Sequence, residues 1–427
     1  MPEKKDNAQN EIDAGLRKKT SGRLKKEKKA VDAEILAISR LFKYSKLITA
    51  LLAVIFLLSM LSFRRKDITV ENFQYLMRFM EISSTTYNKN QNYRKIVYST
   101  DTEITFSGFR GDFVVANSSA LNIYNLSGNN ILSEFNYINN PVIKSSEKYL
   151  LVYDLGGYNY AIFNSFSKLY EETTEYPITG AAISDDGTYV IVTQTQEYRS
   201  AIYVYDDGFR YVGRMLSNKL IMDIDIKKDG SEILIASAYN EEGDFYTEIM
   251  TWNPRVADEI KKFQVNDLMP VSAGYNSNGG CNIICDNRIL FCDNNFELAG
   301  TYMYKNKVPE RGFSGYEYAC LVFPKNLIGD NYELIVFDNF GNTIGGADIK
   351  GKIIKTVPYE NYLFVLTSDT VYKYDISSGV HYSSEVEKNA LDLIIINDEA
   401  IILCYQGRAL VLGMDSGFES LSENTVE

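Results

Sequence analysis

The chain has 427 residues, with 44 Lys and Arg against 56 Asp and Glu, a formal net charge of −12, a single histidine and five cysteines. An acidic balance of this kind excludes nucleic acid as the main partner, because phosphate binding needs a basic face. Five cysteines spread over so long a chain exclude a disulfide-built scaffold.

Residues 1–46 carry about 13 Lys and Arg against about 7 acids, with no aromatic before Phe42, so they offer little apolar surface to pack and read as a disordered basic tail. Within it Val31, Ile35, Ile38 and Leu41 have helical spacing, which suits a short helix lying on anionic lipid as well as it suits a solvated tail. Residues 47–63 form an uncharged run bracketed by Lys46 and by Arg64-Arg65-Lys66. At about 1.5 Å per residue it covers about 25 Å, a gap to the roughly 30 Å hydrocarbon core that the flanking cations close by snorkelling. Its apolar side chains sum to roughly −5 kcal/mol for insertion, so it reads as a transmembrane helix. The larger basic total before it places the N-terminus inside and the rest of the chain outside the cytoplasm. Residues 64–95 are a linker, in which Phe73, Leu76, Met77 and Met80 fall at i, i+3, i+4, i+7 behind Thr69 as cap, an amphipathic helix over 69–81.

From residue 96 to 422 one phrase recurs: an apolar or aromatic strand that stops on Asp or Asn and then turns. It stands at Tyr124-Asn125, Phe163-Asn164, Tyr205-Asp206, Trp252-Asn253, Cys292-Asp293, Phe337-Asp338, Tyr374-Asp375 and Met414-Asp415. The intervals of roughly 37 to 47 residues match four-stranded propeller blades. The Asp or Asn side chain is suited to bond the backbone of the turn that follows. A second phrase, a polar or Gly turn followed by a Val, Ile and Tyr-rich run, precedes each first one; Ser184-Asp185-Asp186-Gly187 before Tyr189 and Lys228-Asp229-Gly230 before Ile233 are the clearest copies. The two registers predict an all-β propeller of eight blades, at 104–136, 142–172, 178–217, 221–265, 271–305, 312–350, 353–387 and 391–422. Seven blades is the alternative count and a generic antiparallel sandwich the alternative fold. Ile96-Val97-Tyr98 is placed to add a strand that closes the ring against the last blade.

At Asn140-Pro141, at Tyr153-Asp154-Leu155-Gly156-Gly157-Tyr158 and at Tyr198-Arg199-Ser200 before Tyr203-Val204-Tyr205, the chain resembles an uncharacterised family of membrane-anchored propeller proteins of Gram-positive bacteria, a domain of unknown function. The likeness spans roughly residues 47–415 and implies the anchor and the propeller; the family brings no activity, cofactor or catalytic residue. More loosely, the repeats are similar to those of WD40 and quinoprotein-like propellers. The chain has no Gly-His dipeptide, and Trp252 is its only tryptophan.

Catalytic chemistry finds little to work with. His381 lies in the expected outer strand of blade seven without a nucleophile elbow. Gly345-Gly346 and Gly279-Gly280 lack the strand-to-helix context of a phosphate loop. Asp185-Asp186 and Asp206-Asp207 sit in turn phrases, which favours a structural role over calcium binding or acid–base work. Asn117-Ser118-Ser119 and Asn125-Leu126-Ser127 match the glycosylation acceptor pattern, which is common by chance. Cys281, Cys285 and Cys292 fall in one hairpin around Asp286-Asn287, where Cys281 would face Cys292; buried thiols, a bridge and a metal site are all open there.

The loops between second and third strands are longer in blades two, three, four and six, and they concentrate Tyr, Phe, Arg and acids. Asp154, Tyr158, Tyr198, Arg199, Tyr239, Glu242, Phe245 and Tyr246 are the candidate partner-binding residues, since Tyr and Arg are enriched at interface hot spots. The expectation is a non-catalytic, membrane-anchored extracytoplasmic scaffold that needs no cofactor and binds a protein or cell-envelope component. The alternative is a ligand, cation, cofactor or enzyme site in the central channel.

Overall fold

Alternation of apolar and polar residues in runs of five to nine residues builds short strands, and short polar turns between them fold consecutive strands into antiparallel sheets. The computed structural model describes residues 94–414, apart from 101–102, 136, 257–259, 306, 327–328 and 399, together with 419–420 and with 49, 51, 52 and 55. The chain divides into Met1–Thr86 and Tyr87–Glu427. In the first unit Thr49, Leu51, Leu52 and Ile55 are helical. The basic tail, most of the 47–63 run and the helix expected over 69–81 lie outside the described residues, among which no helix is long and apolar enough to cross a membrane.

Among the described residues the second unit holds eight sheets, six of four consecutive strands and a seventh in which four consecutive strands are joined by a fifth. Blade one spans Ile104–Phe109, Asp112–Asn117, Ala120–Tyr124 and Asn130–Phe135. Blade two spans Pro141–Ser145, Leu150–Asp154, Asn159–Phe163 and Lys168–Thr173, and blade three Ile178–Ile183, Tyr189–Thr193, Ser200–Tyr205 and Tyr211–Ser217. Blades four to seven follow in the same manner from Leu220 to Glu385. The eight-bladed propeller and its blade positions therefore follow the repeat.

Blade eight differs in one respect from the expected 391–422. Only its three inner strands, Asp392–Asn397, Ala400–Tyr405 and Arg408–Gly413, come from the C-terminal part, and the fourth is Arg94–Val97, antiparallel to the third with Ile96 opposite Ala409. This is the ring closure expected of residues 96–98. Glu419–Ser420 pairs instead with the outer strand of blade seven, His381–Glu385. The core is correspondingly distributed. Eight buried clusters occupy the eight interfaces between neighbouring blades, with no single centre. The cluster of Ile96, Tyr98, Phe106, Phe113, Ile402 and Val411 joins blade eight to blade one.

The hairpin of Cys281–Cys285 and Arg288–Cys292 turns at Asp286-Asn287 and places Cys281 directly opposite Cys292. All five cysteines are buried free thiols, and no group of three or more His, Cys, Asp and Glu among the described residues is placed to hold a metal ion.

Candidate functional site

In each blade the antiparallel strands put the second-to-third loop and the connection to the next blade on one face of the ring. The first-to-second and third-to-fourth turns share the other face. We call these the loop face and the turn face.

The turn face is where the recurring Asp and Asn act. Asn125 Oδ1 accepts from the N–H groups of Ser127 and Asn129 at 3.0 and 2.9 Å, and Asn164 Oδ1 from Phe166 and Ser167 at 2.8 Å each. Asp206, Asn253, Asp293, Asp338 and Asp375 make equivalent bonds to the residues two to four positions on. Asp415, the eighth copy, lies outside the described residues. These side chains replace ladder bonds that the chain loses as it reverses, which identifies them as structural.

The central channel opens on the turn face into a cavity of about 530 Å³, bordered by Asp185, Asp225, Lys228, Tyr275, Ser314 and Tyr316 among others. Its carboxylates are engaged. Asp225 accepts from the N–H groups of Ile226 and Tyr275 at 2.9 and 2.8 Å, and Asp185 from that of Glu147 at 2.7 Å. Outside the cavity lining but on the same strand as Asp225, Asp223 accepts from the N–H groups of Ile224 and Ala273 at 2.9 Å each. The first strand of blade four thus satisfies the channel-side edge of blade five. Burial pushes the Asp225 carboxyl up, and the two N–H groups oppose it.

The loop face carries the expected binding residues on three successive blades. In blade two, Asp154 is only 3 % exposed; its carboxylate accepts from Asn140 N at 2.9 Å. A Cβ on Gly157 would lie 2.1 Å from that carboxylate, and of the two glycines only Gly156 has positive φ. The expectation that the turn presents Asp154 to a partner is therefore corrected, because its charge serves the turn. Tyr158 is exposed and is held by its carbonyl, which accepts from Thr174 N at 2.8 Å. In blade three, Thr195 Oγ1 accepts from Tyr198 N at 2.9 Å and donates to Tyr198 O at 2.7 Å, fixing the loop ahead of the exposed Arg199.

In blade four the expected loop over 239–246 is instead ordered strand. Ile233–Glu241 and Asp244–Trp252 continue their ladder through Tyr239 opposite Tyr246, Asn240 opposite Phe245 and Glu241 opposite Asp244. The turn is Glu242-Gly243, both at positive φ (54° and 98°), the two-residue geometry that matches strand twist. The first strand of the blade begins at Leu220 opposite Ala238, so on that side the ribbon runs three residues, roughly 10 Å, past its neighbour. On the other side the fourth strand accompanies it to Asn266 opposite Tyr246, with Asp267 N donating to Phe245 O at 2.9 Å. Near its base Tyr239 and Tyr246 stack with centroids 5.3 Å apart, and Lys219 Nζ sits 4.3 Å from the Tyr239 centroid. The same Lys219 pairs with the buried Glu248 at 2.6 Å. Burial, then the Glu248 and Glu241 carboxylates, hold the Tyr239 phenol above its ordinary value. Lys219 escaped the sequence reading because it lies well ahead of the ribbon in the chain, and Glu248, although just past Tyr246, because the alternation of polar residues in the strand was its only signal. In blade six Lys325 pairs with Asp348 at 2.5 Å beside the loop over 325–330, of which residues 327–328 lie outside the described residues.

Such a surface offers rigid aromatic area, a guarded positive charge and an acidic tip, which suit recognition of a partner. His381, in the outer strand of blade seven, is half-buried.

The sequence matches the model of a family of unknown function, DUF5711, over residues 83–410. No curated protein sequence matches the chain. Among solved structures, BamB from Moraxella catarrhalis is similar with a TM-score of 0.53 at 10 % identity, over 75 % of this chain and 98 % of that one. Sqt1 of Chaetomium thermophilum, solved bound to the N-terminus of the ribosomal protein L10, is similar with a TM-score of 0.52 at 12 % identity, over 75 % and 98 %. At such identities these likenesses establish the propeller fold.

Proposed function

The chain belongs to the DUF5711 family of unknown function, and on that premise we propose that it is a membrane-anchored, extracytoplasmic propeller that binds a protein or cell-envelope partner through the loop face of blades two to four. The observation that carries this reading is the projecting hairpin of blade four, whose stacked Tyr239 and Tyr246 are braced by Lys219 and Glu248. A rigid aromatic pair on an ordered ribbon loses little entropy on binding, the property that makes a hot spot. The similar fold of Sqt1, solved with a peptide segment of its partner, supports a protein ligand by analogy of architecture alone. Anchoring and orientation are supported by the 47–63 run and its flanking charges.

In-cell cross-linking on wild type and on the Tyr239→Ala/Tyr246→Ala variant is the direct test. The same cross-linked species in equal yield from both would remove the hairpin from the reading. A reporter fused after Glu427 is expected to be active outside the cytoplasm; inside activity would reverse the orientation.

A second reading rests on the cavity of about 530 Å³ at the channel mouth, large enough for a small polar ligand. A panel of sugars, quinones and divalent ions that leaves the melting temperature unchanged would remove it.

A further inference from the structure

Every outer strand of a propeller leaves one row of backbone N–H and C=O groups unpaired, and most folds blunt that row. Here one of the eight is already occupied, since the outer strand of blade seven carries Glu419–Ser420 as a fifth strand. The outer strand of blade two, Lys168–Thr173, stands at the end of its sheet with Asn159–Phe163 as its ladder neighbour. Thr174 N donates to Tyr158 O at 2.8 Å. By antiparallel alternation Glu172 and Tyr170 therefore direct their backbone groups inward, while Glu171 and Thr173 direct theirs to the open edge.

This edge has space on both sides of it. Toward blade one, a cavity of about 340 Å³ is bounded by Tyr137, Asn159 and Glu171. Toward blade three, one of about 180 Å³ is bounded by Glu175, Tyr176 and Tyr203, and Glu172 and Thr173 border both. Phe135 and Tyr137, at the entrance from blade one, are 78 % and 84 % exposed. Side chains of an added strand alternate between the two sides of a sheet, so cavities on both sides fit the period of such a strand. Glu171, Glu172 and Glu175 make these walls acidic. Lys168 pairs with Glu171 at 2.6 Å and also donates to Phe135 O at 3.2 Å, and Glu172 accepts from the hydroxyls of Tyr160 and Tyr170 at 2.8 and 2.7 Å.

We propose that Lys168–Thr173 is a docking edge for an extended, lysine- or arginine-bearing peptide segment of a partner protein, which pairs with it as a fifth strand and lays alternate side chains into the two acidic, aromatic cavities. Backbone pairing supplies affinity, and the carboxylates select cationic side chains. This edge is separate from the blade-four hairpin, so either interface can exist without the other.

The test uses the full chain in detergent micelles and labelled synthetic peptides of alternating lysine and valine, followed by fluorescence anisotropy. The lysine peptide is expected to bind, more weakly as salt rises. Its counterpart with glutamate for lysine is expected not to bind, nor is a lysine peptide N-methylated on alternate residues, which lacks the donors for pairing. Glu171→Pro removes an N–H from the open edge while leaving the inner ladder intact, a substitution edge strands tolerate, and is expected to weaken binding roughly tenfold or more. Glu171→Gln/Glu175→Gln, which keeps the backbone, is expected to weaken it and flatten its salt dependence. Tyr239→Ala/Tyr246→Ala is expected to leave binding unchanged, so failure here and failure of the hairpin reading are separate results. No binding of the lysine peptide to wild type, equal binding of the N-methylated peptide, or undiminished binding to a folded Glu171→Pro overturns the proposal; the N-methylated arm decides the matter even if that variant does not fold.

Discussion

Ile96 and Val97 are adjacent in the strand that closes the ring, yet they face opposite environments. Ile96 is fully buried in the cluster between blades eight and one, whereas Val97 is 66 % exposed. Ile96→Ala removes apolar contacts from that interface and leaves a cavity that flanking strands fill only in part, a loss of about 2–5 kcal/mol. At roughly 2 °C per kcal/mol for a domain of this size, the melting temperature should fall by about 4–10 °C. Val97→Ala, an exposed change one residue on, should stay within about 0.5 kcal/mol of wild type. Deleting residues 93–99 should do more than either. It removes four ladder pairs and the Tyr98 hydroxyl, which donates to the carbonyls of Arg408, at 2.9 Å, and of Tyr405, and it exposes the third strand of blade eight as an edge. The assay is thermal unfolding of the full chain followed by tryptophan and tyrosine fluorescence. Equal melting of Ile96→Ala and wild type, or equal damage from Ile96→Ala and Val97→Ala, would refute ring closure by this strand.

The blade-two turn makes a paired prediction. Gly156→Ala should cost about 1 kcal/mol through its positive φ, and Gly157→Ala about 1–3 kcal/mol through the contact with Asp154. Adding Asp154→Ala to Gly157→Ala should recover part of the loss, which denaturant titration of the three variants checks as a non-additive cycle. Acid should weaken the turn face. The Arg210 guanidinium holds Asp206 below its ordinary range, and the Ser231 hydroxyl does so for Asp229. Their contribution is full above the unfolded value of about 3.9 and is lost as pH falls through the lower folded values. Asp206→Asn should therefore flatten the melting temperature against pH below about pH 4; an unchanged slope counts against it. Burial pushes the Cys320 and Cys404 thiols up, so the native protein should resist thiol reagents at mildly alkaline pH and release five reactive thiols when unfolded without reductant. Three thiols would show that Cys281 and Cys292 are bridged.

The repeat was legible because each copy is local. A strand that ends on Asp206 or Asn164, followed by a turn that needs its oxygen, is read within about five residues of chain. The blade positions follow from it, and so does closure by Ile96, whose alternating apolar run lacks a partner nearby. The blade-four ribbon was misread as a loop because Glu242-Gly243 is a two-residue turn inside a polar stretch, and polarity alone does not separate an exposed strand from a loop. Asp154 was misplaced for a related reason. Its partner Asn140 N lies fourteen positions back, and a carboxylate that faces its own chain has the same sequence signature as one that faces a ligand.

The sequence by itself therefore determined what depends on period and on short-range hydrogen bonding: an all-β chain, eight blades, their turns, and the strand that seals them. Tertiary structure alone decided which side chains share a surface. Lys219 meets Tyr239 and Glu248, and Glu172 comes to border two cavities beside Tyr137 and Tyr203, because ring closure brings together residues from different strands and blades. Such contacts follow from the angle and spacing at which blades pack, a property of the whole ring that no single stretch of chain encodes.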